Sequence, residues 1–166
     1  LTYRIVVNQP AEVGAWVCAQ TGGLWTPEDS TAIGLARGHE LIAGTVYSQF
    51  NGRSVAMHTA IQRMNTEFLW YCFYYPFVEL NVRKVLGLVD SFNDSAIDLD
   101  RHLGFVLEAV VKEAGQQGDL LVFSMTREQC RWLNVVRRPG VRHHGWEKQG
   151  AENAGLYRRG ECHSAG

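Results

Sequence analysis

The chain has 166 residues, 46% of them hydrophobic and 20% charged, with a formal net charge of −1. That length and apolar content suit one folded domain with a sizeable core. The near-neutral balance excludes a chain-wide basic character, so nucleic acid is not an expected partner, and no apolar run approaches the roughly 20 residues of a membrane span. Cys18, Cys72, Cys130 and Cys162 are scattered without a C-x-x-C pair, as expected of reduced thiols in a cytoplasmic protein.

In chain order, the alternation from Tyr3 to Asn8 predicts a strand. Pro10 to Gln20 reads as a helix, with Pro10 near a first-turn position, Val13, Trp16 and Val17 on one face, and Gly22-Gly23 as the stop. Leu24 to Asp29 is a loop. Three strand-like runs follow, Thr31–Arg37, Leu41–Phe50 and Ser54–Ile61, separated by Gly38-His39 and by the hairpin signal Asn51-Gly52.

Thr66 to Leu80 is the main helix by position, and seven of its residues are aromatic. Leu69, Cys72, Phe73, Pro76 and Leu80 make one core-facing stripe. Trp70, Tyr71, Tyr74 and Tyr75 fall outside it, which leaves two readings open: a helix buried on more than one side, or a protein–protein contact over residues 70–78. Pro76 should kink the helix or shorten its last turn.

Val82 to Phe105 begins with a β-branched and aliphatic strand that ends at Asp90. Asn93 then sits as the N-cap of an amphipathic helix carrying Ala96, Leu99 and Leu103, and Gly104 follows where a left-handed cap is needed. Val106–Lys112 and Leu120–Met125 read as a strand pair around the polar loop at 115–119, and Thr126 to Leu133 opens with a Thr-x-x-Gln capping box that predicts a short helix. Residues 137–166 hold six Gly, six Lys or Arg and three Glu, a net charge of about +3 with little apolar periodicity. The expected organisation is a domain over 1–137 and an irregular tail over 138–166.

The residues Val89, Asn93, Ala96, Leu99, Leu103, Gly104 and Phe105 resemble the signature of the GNAT superfamily of acyl-CoA-dependent N-acyltransferases. Asp100 stands where many members carry a tyrosine. The order β-α-β-β-β-α-β-α-β-β over residues 3–126 is similar to the same fold, an α/β (α+β) architecture with a mixed, mostly antiparallel twisted sheet flanked by helices. The resemblance implies acetyl-CoA as cofactor and a primary amine of a small molecule or protein as acceptor. It lays the cofactor arm along Val55–Ile61 and the pyrophosphate on the backbone at 62–67. Thr59, Ile61, Arg63, Met64, Asn65, Thr66, Glu67 and Asn93 are then the cofactor-binding candidates. The family's phosphate loop, (Q/R)-x-x-G-x-(G/A), corresponds to Ala60, Arg63 and Asn65, with no glycine between Gly52 and Gly87.

For proton transfer, His58 is the best-placed general base, the resemblance gives Asp100 the proton-donor position, and Glu67 is a third catalytic candidate. His58 and Glu67 also have plain structural readings, a satisfied histidine and a first-turn acid, while Asp100 with an ordinary pKa is ionised and donates only if burial raises that value. Asn93 likewise serves as a cap or near the cofactor arm. His143-His144 and Cys162-His163 show no metal-ligand pattern, and no metal is expected. The stretch 107–133 resembles bacteriophage-encoded members, which implies a phage or prophage protein, in the host cytoplasm or associated with the virion. The second reading of the whole chain is therefore a degenerate acyltransferase fold acting as an assembly component. Both readings expect a homo-oligomer or a larger protein assembly.

Overall fold

A computed structural model of the protein describes residues 2–135. The predicted tail, its boundary at 137/138, and the histidine and cysteine pairs within it lie outside the described residues. The elements are β1 (Tyr3–Val6), α1 (Pro10–Thr21), β2 (Ser30–Arg37), β3 (Glu40–Ser48), β4 (Ser54–Ile61), α2 (Thr66–Tyr74), β5 (Lys84–Asp90), α3 (Asp94–Leu103), β6 (Val106–Val111) and β7 (Leu120–Thr126). They form one seven-stranded sheet in the order β1-β2-β3-β4-β5-β7-β6. Every neighbouring pair is antiparallel except β4 and β5, which run parallel and are joined by the aromatic helix. That is the expected crossover.

The two faces of the sheet carry separate cores. Val13 and Val17 of α1 pack with Val6, Ala32, Ala36, Val46 and Ala60 on one face. α2 and α3 cover the other, where Tyr47, Val55, Met57, Val85 and Phe123 meet Phe68, Phe73, Ile97 and Leu103. Between α1 and β2 there is no second helix, only the loop bearing Trp25.

The aromatic helix resolves in favour of burial. Phe68, Tyr71, Phe73, Tyr75 and Phe77 are all at or below 2% exposed. Trp70 and Tyr74 are half-buried and stack on each other at 4.3 Å. The surface expected over residues 70–78 is thus largely core, and the contact reading of that stretch is corrected. Two features cause this. A π-helical turn at Tyr75–Glu79, closed by Leu80 N–H donating to the Tyr75 carbonyl at 3.0 Å, adds a residue to the turn and swings Tyr75, Pro76 and Phe77 inward. The far side of α2 is then capped by a 3₁₀ turn at Arg131–Asn134, with Trp132 and Leu133 packed against the same core. The helix predicted over Thr126–Leu133 reduces to that turn. Its capping box is nonetheless made, Thr126 N–H donating to Gln129 Oε1 at 2.9 Å and Gln129 N–H to Thr126 Oγ1 at 3.4 Å.

Pro76 explains another contact. In a continuing α-helix the Cys72 carbonyl would accept from the N–H of residue 76, which proline lacks. The buried Tyr47 hydroxyl donates to that carbonyl instead, at 2.7 Å, and so ties β3 to the weak point of α2. Tyr47→Phe should cost about 1–3 kcal/mol in a denaturant titration, because it removes a buried hydrogen bond to that carbonyl. Adding Pro76→Ala, which restores an N–H, should recover part of that loss.

Candidate active site

β4 and β5 pair only through Ser54↔Lys84, Val55↔Val85 and Ala56↔Leu86. Below these pairs, Arg83 N–H donates to the Arg53 carbonyl at 2.8 Å and closes the base. Above them the strands part, although β4 continues to Ile61 and β5 to Asp90. The gap opens into a cleft of about 1020 Å³. Its walls are Met57, His58 and Thr59 of β4, Gly87 to Asp90 of β5, and Asn93, Ala96, Leu99 and Asp100 on α3 and its cap. The end of α1 contributes Cys18 and Thr21, and the β6–β7 loop contributes Gln116 and Gln117.

Asp100 lies deep on the α3 side. Its Oδ2 is buried and has no hydrogen-bond partner among the described residues. A Cβ at Gly87 would fall 2.5 Å from that oxygen, so the glycine is the space in which the carboxyl rests against the sheet. Burial without a partner disfavours the anion and pushes the Asp100 pKa up to about 6. Asn93 caps α3, its Oδ1 accepting from Ala96 N–H at 3.1 Å, and also lines the cleft; Gly104 ends the helix in the left-handed region at φ 103°.

His58 belongs to the opposite face. It is registered against Val46, one of the residues packed under α1, and burial lowers its pKa so that the ring stays neutral. Thr59 faces the α2 side, with its hydroxyl 3.1 Å from that of Thr45. The cleft therefore reaches through the sheet, with a neutral imidazole toward α1 and a buried carboxyl toward α3.

The remaining candidates sit apart from the cleft lining. Ile61 pairs with Ala43 and packs on the core. Arg63, Met64 and Thr66 are exposed and Glu67 is half-buried at the start of α2. The N–H groups of Gln62 and Arg63 both donate to the Ile42 carbonyl, at 2.9 and 3.2 Å. Asn65 is the N-cap of α2, its Oδ1 accepting from Phe68 N–H at 2.7 Å. The structure thus brings His58, Thr59, Asn93 and Asp100 to one cavity and leaves Ile61 and residues 63–67 beyond its lining.

Sequence reasoning missed the cleft's mouth. Asp90 accepts from Phe92 N–H at 3.1 Å and Gln117 N–H at 3.0 Å, which hold its carboxylate below the usual range. Ser91 N–H donates to the Asp119 carbonyl and Asp119 N–H to Ser91 Oγ, so the loops after β5 and β6 are locked together. Gln49, also in the lining, holds φ 55°. A mid-strand glycine at 87 was the one available signal, since such a glycine marks a close approach.

No protein-family model matches the chain, and no curated protein does. Solved structures do. A chimera of the spermidine N-acetyltransferase SpeG of Vibrio cholerae with hSSAT superposes with a TM-score of 0.61 at 15% identity, covering 81% of this chain and 100% of that one. SpeG of Vibrio cholerae in complex with manganese ions gives 0.59 at 16% identity, over 81% and 97%. A probable acetyltransferase gives 0.58 at 13%, over 76% and 93%. The fold is that of the GNAT acetyltransferases.

Because the native carboxyl of Asp100 keeps its proton up to about 6, its contribution to stability is complete below about pH 4, where the unfolded chain is also protonated. It is lost as pH rises through 6. Asp100→Asn, neutral throughout, should gain stability relative to the parent between pH 4 and pH 8, by up to about 3 kcal/mol in urea titrations.

Proposed function

We propose that the protein is an acyl-CoA-dependent N-acyltransferase that moves an acetyl group from acetyl-CoA to a primary amine. The observation that carries this reading is the parting of β4 and β5 after Ala56 and Leu86, which exposes strand edges at the floor of a large cleft. Free edges of this kind accept an extended chain of amides as an added strand, and the pantetheine arm is such a chain. Acetyl-CoA supplies an acetyl group already activated as a thioester. Thr59 and Asn93 would flank the arm. Arg63, exposed at the start of α2, would meet phosphate by charge, since its own N–H is engaged by Ile42. Met64, Asn65, Thr66 and Glu67 would complete that end beside the first turn of α2.

The acceptor side favours a cation. Asp29 and Asp90 line the cleft, and no Lys or Arg does among the described residues. An ammonium group is therefore more welcome there than a carboxylate or phosphate. His58, neutral through burial, takes the proton that the acceptor nitrogen must lose before it attacks. Asp100, protonated through burial, returns a proton to the sulfur as the C–S bond breaks. Solvent then restores both groups. The SpeG structures, which are of spermidine N-acetyltransferases, are consistent with an amine acceptor, and one of them is dodecameric. Glu67 has no place in this scheme beyond the first turn of α2.

A thermal-shift titration tests the reading directly. Acetyl-CoA at 100 times its dissociation constant should stabilise the protein by about 2.7 kcal/mol. An unchanged melting curve at millimolar acetyl-CoA rejects the assignment. Arg63→Glu should weaken binding by about 1–3 kcal/mol in calorimetry.

The activity should depend on pH in a particular way. The base must be neutral, so turnover falls below the lowered His58 value; the acid must be protonated, so it also falls above about 6. A decline in kcat as pH rises through about 6 is expected, and Asp100→Asn should abolish that alkaline limb while leaving acetyl-CoA binding intact.

A further inference from the structure

Among the described residues, β6 is the last strand of the sheet and hydrogen-bonds only to β7. All six of its residues are exposed, and Val106, Leu107, Val110 and Val111 keep between 43% and 53% of their surface. These four make up half of the exposed large hydrophobics among the described residues. β7 is the one element against which β6 packs to any extent. At the opposite edge, β1 has only four residues, and its Ile5 and Val6 are buried. A long, bare, apolar edge strand is a template for pairing with another chain.

The register of β6 says which chain fits. Its ladder slips between Leu107 and Ala109 and leaves Glu108 unpaired. Leu107 and Val110 therefore share the face of Phe123 and Leu121, while Val106, Ala109 and Val111 share that of Ser124, Val122 and Leu120. A second copy brought alongside by a two-fold axis normal to the sheet must match face to face. Of the three antiparallel registers that overlap the strand most fully, only the one centred between Glu108 and Ala109 does so. It sets Val106 opposite Val111 and Leu107 opposite Val110, each pair occurring twice. The register centred on Glu108 would mismatch the faces and oppose two carboxylates. In the matching register each Glu108 lies beside an alanine and keeps its ion pair with Lys84 of its own chain.

We propose that β6 is the seat of a symmetric dimer in which two copies join their sheets edge to edge, Val106 against Val111 and Leu107 against Val110. The bulge at Glu108 then acts as the register key. This surface is separate from the cleft and from the aromatic helix.

Sedimentation velocity on the full chain at micromolar concentration is the test. The unmodified protein should run as a dimer, and Val110→Lys should run as a monomer with an unchanged circular dichroism spectrum. The double variant Val106→Cys, Val111→Cys should oxidise to a covalent dimer in non-reducing electrophoresis, whereas the parent, with its native cysteines, should not. A monomeric parent overturns the proposal. Protection of the β6 amides from hydrogen exchange in such a monomer would show that residues 136–166 cover the strand. A dimer that survives Val110→Lys places the interface elsewhere and also overturns it.

Discussion

The cleft depends on one constraint: β4 and β5 are held together over three residue pairs and no further. Parallel strands this close normally continue as a ladder, so something must hold them apart above Ala56 and Leu86. β4 is committed to β3 along its length, from Ala56↔Ser48 to Ile61↔Ala43. β5 is committed to β7 over seven pairs, from Lys84↔Thr126 to Asp90↔Leu120. Each half of the sheet twists with its own partner, and the seam between the halves opens where the twist accumulates. α3 packs across the β5 half, and its Asp100 rests on Gly87, the first β5 residue past the seam. The group with the most perturbed carboxyl chemistry thus sits where the backbone gap begins.

The same division explains why the crossover must be strong. α2 spans from one half to the other, yet it runs straight into a π turn that contains Pro76. Tyr47 of β3 supplies the donor that Pro76 cannot, Thr45 contacts the Cys72 thiol at 3.3 Å, and Arg127 donates to the Phe77 carbonyl from beyond β7. The helix is therefore pinned to both halves of the sheet at its irregular end. Burial of five aromatic rings along it adds the apolar area that holds the crossover in place.

Much of this was legible in the sequence because it is local. Asn93 as a cap, Gly104 as a left-handed stop, the Asn51 turn and the β4-α2-β5 order all follow from neighbouring residues, and the structure has them. The fold class and the two parallel strands followed from that order. What was not legible depends on distant partners. The aromatic residues of α2 look like an excess until the π turn and the 3₁₀ turn at Arg131–Asn134 supply the surfaces that bury them. Asp100 reads as a helix acid with an ordinary pKa, and only its position against Gly87, thirteen residues earlier in the chain, makes it a buried one. The lock between Asp90, Ser91 and the β6–β7 loop has no local signature, because its donors come from residues 27 and 28 positions away.

The two ends of the proposed cofactor path differ in how the backbone is used. At the start of α2 the N–H groups that would face a phosphate are partly taken, two by the Ile42 carbonyl and one by the Asn65 side chain. A glycine-rich loop would leave those donors free and let the backbone approach an anion, whereas here side chains and strand β3 satisfy them internally. At the other end, the edges of β4 and β5 above Ala56 and Leu86 are left without each other, and a carboxyl oxygen is buried without a partner. Unsatisfied polar groups are costly unless something binds to them. The distribution of unmet hydrogen-bonding capacity therefore shifts recognition from the phosphate end toward the thioester end. On the proposed function, the arm and the reacting atoms would be held closely and the nucleotide loosely.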